Sequence, residues 1–351
     1  MREPKLIFGP DLVKLIAEID EFKGRWEALK ALSPDRLGAL RKVATIESVG
    51  SSTRIEGAKL SDSEVEGLLS RAIADKSLQT RDEQEVAGYA EAMDLVFEAH
   101  AELRLTESHV RQLHQVLLRH SDKDERHRGA YKTLANNVVA LDADGREIGI
   151  VFEVASPFDT PREMEGLIAW TRKALEEEAL HPLAVAAIFI VTFLAIHPFQ
   201  DGNGRLSRVL TTLLLLRAGY AYVPYASLER VIEDNKDLCY NALRRTQTTL
   251  KSESPDWAPW LGFFLRCLKR QKDSLLARLE HEHLAVGGEA DLPTLSLGIL
   301  KALRADGRLT ITQLATVLGA NRNTLKLRLR GLVKDGRVRR HGKARATWYS
   351  P

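Results

Sequence analysis

Apolar residues recur every three or four positions through most of residues 10–285. This predicts helices near 11–30, 34–50, 61–74, 82–100, 106–119, 161–178, 182–196, 203–218, 227–250 and 257–284. One stretch departs from the amphipathic pattern. LAVAAIFIVTFLAI (183–196) is apolar on every side yet too short to span a bilayer, so it reads as a helix buried in a globular core. The helical run breaks at NNVVALDADGREIGIVFEVASP (136–157). There, β-branched runs around Val138–Leu141 and Glu147–Glu153 flank Asp-Gly turn chemistry, which predicts a β-hairpin. A lone hairpin is marginally stable and must lean on its surroundings. AVGGEADLP (285–293) has the glycines, acids and proline of a linker. After it the pattern is helix, helix, helix, hairpin. The expected organisation is a helical region over 1–100, a core over 101–284, a linker over 285–292 and a small domain over 293–351. No internal repeat and no low-complexity tract interrupts it.

Composition adds bounds. With 351 residues and 44% hydrophobic content the chain can bury a sizeable core in two or three domains. MREPKLIFGPDLVKLI lacks the features of a signal peptide, and no run reaches about 18 apolar residues, so the expectation is a cytoplasmic protein with no membrane partner. Cys239 and Cys267 are the only cysteines and form no metal-like pair. The net charge of +3 hides an asymmetry. Residues 293–351 hold 13 Lys and Arg against Asp306 and Asp335, net +11, while the rest carries 38 basic and 46 acidic residues, net −8. Two modules with different partners are implied.

Directly after the buried helix comes HPFQDGNGRLSR (197–208). Gly202-Asn203-Gly204 permits a concave nest of backbone N–H groups, and the nest feeds a helix N-terminus, where an anion is favoured. Arg205 and Arg208 share a face of that helix's first turn. Cations there oppose the helix dipole unless a polyanion lies between, and a phosphate chain fits that description. Asp201 is a candidate Mg²⁺ ligand beside the phosphates. His197 titrates nearest neutrality and is the candidate general base. These parts together describe phosphoryl or nucleotidyl transfer.

The segment resembles the Fic family signature HxFx(D/E)GNGRxxR, matched at every defined position from His197 to Arg208. The likeness extends over roughly residues 40–285. It implies a mainly α fold, a helical bundle core with a β-hairpin flap. It also implies protein adenylylation, the transfer of AMP from ATP to a Ser, Thr or Tyr hydroxyl of a target protein. By that resemblance His197 would deprotonate the acceptor, Phe199 would anchor the loop, and Asp201 would bind Mg²⁺. Gly202, Asn203 and Gly204 would cradle the α- and β-phosphates, and Arg205 and Arg208 would hold the β- and γ-phosphates. The flap edge Gly149, Ile150, Val151, Phe152 would align an extended target segment by strand addition.

SSTRIEG (51–57) matches the family's inhibitory pattern (S/T)xxxE(G/N) through Ser52, Glu56 and Gly57, on a helix expected over about 45–57. Glu56 would pair bidentately with Arg208 and occupy the place of the γ-phosphate. In NKDLCYNALRRTQ (235–247), Tyr240 resembles the aromatic placed near the base. Cys239 and Gln247 depart from the family pattern there, which leaves base specificity open.

The basic tail resembles a winged helix-turn-helix with Ala320–Asp335 as recognition helix. Arg322, Asn323, Lys326 and Arg330 are candidates to face DNA, and Leu325, Leu329 and Leu332 supply the buried stripe. Such domains also dock proteins. Three alternatives stay open beside the autoinhibited transferase: a nucleotide-sensing transcriptional regulator, removal of AMP with Glu56 orienting a water, and transfer from another nucleotide. A homodimer is also open.

Overall fold

The computed structural model describes residues 4, 6, 8–29, 34–72, 78–136, 138–141, 147–290, 294–334, 337–342 and 347–350. It divides into two compact units, Met1–Leu275 and Leu276–Pro351. The first begins with five helices: α1 (Pro10–Leu29), α2 (Pro34–Ile55), α3 (Asp62–Ala72), α4 (Arg81–Ala99) and α5 (Glu107–Leu117). A hairpin follows, β1 (Val138–Leu141) and β2 (Glu147–Phe152). Then come α6 (Thr160–Glu176), α7 (Pro182–Ile196), α8 (Asn203–Arg217), α9 (Leu228–Glu233), α10 (Lys236–Gln247) and α11 (Ala258–Ala290), whose last residues pass into the second unit.

Local chemistry explains several boundaries. Thr80 and Glu83 form a reciprocal capping box at the start of α4, and Thr106 caps α5. Pro182 opens α7, where its missing N–H costs nothing. α7 is the core. Leu183, Ala184, Val185, Ala187, Ile188, Phe189, Val191 and Phe193 are all fully buried. Full burial of a residue such as Phe193 is worth about 2 kcal/mol over exposure, so a helix apolar on every side is held on every side. α11 fastens to it through Trp260 Nε1, which donates to Ala187 O at 2.7 Å.

Two segments differ from expectation. The single helix expected over 227–250 is broken into α9 and α10. Asn235 turns the chain there: its Nδ2 donates to Val231 O at 2.8 Å, and its Oδ1 accepts from Arg270 Nη1 at 2.6 Å. An Asn that bonds its own backbone competes with helix continuation. The segment read as a linker is helical as far as Ala290, as the end of α11.

β1 and β2 pair antiparallel, with Val138 opposite Phe152, Val139 opposite Ile150 and Ala140 opposite Gly149. The expected Asp-Gly turn between them lies outside the described residues. Among the described residues this sheet has two strands, so one edge of β2 has no strand neighbour.

The second unit contains α12 (Thr294–Asp306), β3 (Leu309–Thr310), α13 (Ile311–Leu318), α14 (Arg322–Lys334), β4 (Arg339–His341) and β5 (Trp348–Ser350). Its core is Ile299, Leu303, Leu309, Leu314, Leu325, Leu329, Leu332 and Val338. Thr310 and Gln313 form a capping box at α13. The expected two-stranded hairpin is a three-stranded sheet in the order β3-β5-β4, because Leu309–Thr310 adds to the far edge of β5. Among the described residues no helix is long and apolar enough to cross a membrane.

Candidate active site

The end of α7 delivers His197, which caps the helix in the left-handed region at φ 51°, ψ 60°. A non-glycine residue there needs support from its surroundings. His197 N–H donates to Phe193 O at 2.9 Å. Lys132 holds the residues on either side: its N–H donates to Pro198 O at 2.9 Å and its Nζ to Ile196 O at 3.0 Å. The next loop is closed by one side chain. Asn203 Oδ1 accepts from Phe199 N–H at 2.9 Å, and Asn203 Nδ2 donates to Phe199 O at 2.7 Å. Phe199 is fully buried and stacks on His114, with ring centroids 3.8 Å apart. His114 Nδ1 accepts from Gly129 N–H at 2.9 Å, so its Nε2 carries the proton and donates to Asp201 O at 3.0 Å. Gly202 then caps α8 at φ 79°. The opening N–H groups of α8, without intrahelical acceptors, face whatever occupies the concavity.

Burial pushes His197 down to about 4; Lys132 adds to the shift, and Glu56 and Asp201 oppose it. Burial likewise lowers His114 to about 4. Both rings are neutral at pH 7. His197 is therefore free to accept a proton.

Cations gather on the α8 side. Arg205 is buried and reaches Glu85 at 3.3 Å and Asp201 at 3.5 Å. Among the described residues its Nε has no hydrogen-bond acceptor, and its Nη1 has only the Glu85 carboxylate at ion-pair distance. Asp201 Oδ1 accepts from Gly202 N–H at 2.6 Å, whereas among the described residues Oδ2 has only the distant Arg81 at 3.7 Å and Lys123 at 3.8 Å.

Arg208 turns the other way, toward α2. Its Nε donates to Ser52 Oγ at 2.8 Å, and its Nη2 to Ser52 O at 3.0 Å and to Glu56 Oε1 at 2.7 Å. The expected bidentate pair is a single hydrogen bond, because Ser52 has taken the guanidinium's Nε edge. The Glu56 carboxylate lies on the backbone of Gly204. A Cβ at Gly204 would collide with Glu56 Oε1, so a larger residue there would displace the carboxylate. Burial works to raise Glu56, but Arg208, with Arg205 and His197 behind it, holds it below the ordinary carboxylate value.

The end of α2 that carries Glu56 is itself latched. Gly57 takes φ 106°, which lets Ala58 N–H return to Thr53 O at 3.1 Å and close the helix. Arg54 donates to both oxygens of Glu233, at 2.7 and 3.0 Å, and to Leu60 O at 2.9 Å. Lys236 Nζ reaches Ile55 O at 2.8 Å. Glu233→Gln removes the charge from this latch. It is expected to speed hydrogen exchange at the Glu56, Gly57 and Ala58 amides by about tenfold, from the usual worth of a charged hydrogen bond. Unchanged exchange would show that the latch does not restrain this turn.

α10 lies on the same side. Tyr240 is 44% exposed, and its phenol is raised by burial first and by the Glu56 charge second. Cys239 is buried and pushed up to about 12. β2 passes beside α10, which puts the flap edge next to this wall. In the second unit α14 presents Asn323, Lys326 and Arg330 on one exposed face, with Leu327, 64% exposed, between them. Arg322 instead gives its guanidinium to the Thr312 hydroxyl.

Residues 104–215 match the Fic/DOC family. The chain carries a Fic/DOC domain. Residues 292–339 match a winged helix-turn-helix DNA-binding family. Among curated proteins, the protein adenylyltransferase Fic of Nematostella vectensis is 32% identical over 122 residues, 35% of this chain and 26% of that one. The protein adenylyltransferase Fic of Drosophila melanogaster is 28% identical over 216 residues, covering 60% and 41%. The chain thus spans less than half the length of these relatives. In fold it is similar to a Fic family protein of Desulfovibrio desulfuricans G20, with a TM-score of 0.69 at 24% identity, covering 99% of this chain and 98% of that one. It is also similar to residues 134–508 of Fic-1 from C. elegans, with a TM-score of 0.60 at 17% identity, covering 78% and 72%.

The Fic/DOC domain contains His114, Lys132 and the whole of 197–208, whereas Glu56, Arg81 and Tyr240 come from outside it. Sequence reading missed His114, Lys132, Glu85, Arg81 and Lys123, which reach the site from segments distant in the chain. For His114 a signal existed: it stands on the apolar stripe Val110, Leu113, Leu117 of α5, where an aliphatic residue would be expected.

Proposed function

We propose that this chain is a protein adenylyltransferase, transferring AMP from ATP to a hydroxyl of a protein target, and that Glu56 restrains it. The carrying observation is the Glu56 carboxylate bonded to Arg208 at 2.7 Å and pressed on Gly204. It is an anion seated at the mouth of an anion-binding helix terminus, with a neutral His197 close by.

In this reading the phosphates of ATP lie over the start of α8. Arg205 supplies its Nε–H, and Arg208 exchanges Glu56 for a phosphate oxygen. Asn203 contributes its backbone N–H alone to the cradle, since its side chain is spent on Phe199. His197 takes the proton of the acceptor hydroxyl as that oxygen bonds to the α-phosphorus and the bond to the β-phosphate oxygen breaks. Arg81 and Lys123, beside Asp201, meet the charge of the departing pyrophosphate.

Asp201 Oδ2, without a short partner, fits a Mg²⁺ held by one carboxylate and substrate phosphates. Among the described residues no group of three His, Cys, Asp or Glu could hold a metal without them. A bound Mg²⁺ would neutralise phosphate charge and orient the chain. The unpaired edge of β2 would receive an extended target segment. The deciding test offers ATP labelled on the α- or the γ-phosphate, with Mg²⁺ and cell lysate, to Glu56→Gly protein. Protein-bound label from α alone supports adenylylation, and label from γ alone excludes it.

The exposed basic face of α14 favours a second activity, DNA contact by the winged helix. Lys326→Ala with Arg330→Ala is expected to weaken retention of mixed-sequence DNA in a gel shift and to lower its salt dependence by about two phosphate contacts. No retention by the unmutated chain would make the exposed Leu327 the centre of a protein-docking face instead.

A further inference from the structure

We infer that Lys132 lowers the proton affinity of His197 beyond what burial alone does, as a positioning residue acting through the backbone on either side of the ring and through the field of its charge. What His197 does with its proton rests on the adenylyltransferase reading; the contact does not.

Lys132 lies between α5 and β1, only 3% exposed. Its backbone N–H and its Nζ grip Pro198 O and Ile196 O, the carbonyls that bracket His197. These two bonds fix the chain on each side of the one residue in the loop whose backbone is left-handed without being glycine. A buried ammonium ordinarily rests on a carboxylate. Among the described residues none stands at ion-pair distance from Lys132. The nearest acidic influence is Glu163 on α6, and burial pushes the lysine itself down to about 8. Its charge is therefore poorly neutralised, and its field falls on the imidazole.

The other charged groups acting on His197 are Glu56 from α2 and Asp201 from its own loop, both favouring protonation. Arg208 and Arg205 hold Glu56 and weaken its pull. Lys132 is the cation that opposes them. Without it, Glu56 in the restrained state, or phosphates in the loaded one, would hold a captured proton on the ring more firmly. With it, the ring surrenders that proton more readily.

The test uses the full chain with isotope-labelled histidine. The His197 ring signal, assigned by its loss in His197→Ala, is followed from pH 3.5 to 8. The unmutated protein is expected to titrate near 4. Lys132→Gln keeps a donor for Ile196 O but removes the charge, and is expected to raise that midpoint by about one pH unit or more. Lys132→Arg keeps the charge and should leave it near 4. Lys132→Met should shift it as Lys132→Gln does. If Lys132→Met fails to fold, the Gln and Arg pair carries the comparison, with His114 titration as the check on an intact core. A Lys132→Gln midpoint equal to the unmutated one overturns the inference.

The second readout is the acid limb of AMP transfer in a Glu56→Gly background, expected to move with the ring. A shifted ring with no transfer by any variant would retire the transferase reading and leave the role of Lys132 standing. Transfer with an unshifted ring would do the reverse.

Discussion

Replacing Glu56 with glycine is expected to raise incorporation of α-labelled AMP into protein by about tenfold. The carboxylate forms one charge-assisted hydrogen bond to a buried guanidinium, a contact typically worth about 1.5–3 kcal/mol. With its side chain still 35% exposed, the lower end of that range applies, which corresponds to roughly a tenfold change in the population able to seat phosphate. The pH behaviour follows. Arg208 depresses Glu56, so the contact is complete above the ordinary carboxylate value and is lost only as pH falls through the lower, folded one. Between pH 6 and 8 the restraint should not titrate at all. Glu56→Gln separates charge from bulk, and most of the gain should survive in it. Equal labelling by the glycine variant and the unmutated chain would mean that this carboxylate holds nothing back.

His197→Ala in the released background should lower single-turnover transfer by about a hundredfold to ten-thousandfold, the usual contribution of a positioned base. ATP affinity, measured by calorimetry, should change by less than about threefold. The division is structural. In the proposed reading nucleotide affinity resides in the N-terminus of α8 and in Arg205 and Arg208, while His197 sits at the end of a different helix and bonds the backbone of Phe193 and Leu194 in its own helix. Retained turnover would remove His197 from the base role. A matching collapse of ATP affinity would show that its ring supports the loop rather than the chemistry.

Much of this was legible in the sequence because the information is local. α7 announces itself by fourteen residues with no polar face, and the twelve residues after it hold the proposed anion-binding turn. Glu56 was legible through its spacing from Ser52 and Gly57, and the structure shows what each supplies. Ser52 accepts from Arg208, Glu56 brings the charge, and Gly57 makes the left-handed helix stop. What periodicity could not reveal depends on contacts across the chain. Asn235 breaks a helix whose apolar spacing runs on through it, because its side chain prefers its own backbone and Arg270. Thr310 joins a sheet by two residues, too few to show alternation. Lys132 carries no signal in the sequence, since nothing near it says that its ammonium will meet a carbonyl 64 residues later.

The helix that bears Glu56 cannot behave as a detachable arm. Val49, Ser51, Ser52 and Thr53 of α2 are fully sealed from solvent and Ile55 nearly so, so lifting this helix away would open the domain. What can move is the glutamate's own side chain, by rotamer hops of nanoseconds or less. A gate of that kind is never fully shut: at any instant a minority of molecules already stands open, and no cleavage or dissociation is needed to reach them. The protein should therefore show a small standing turnover in its resting form. A ligand or target that favours the rotated carboxylate would raise that turnover by degrees, as a dimmer does, and its removal would restore the resting level as fast as a side chain can turn.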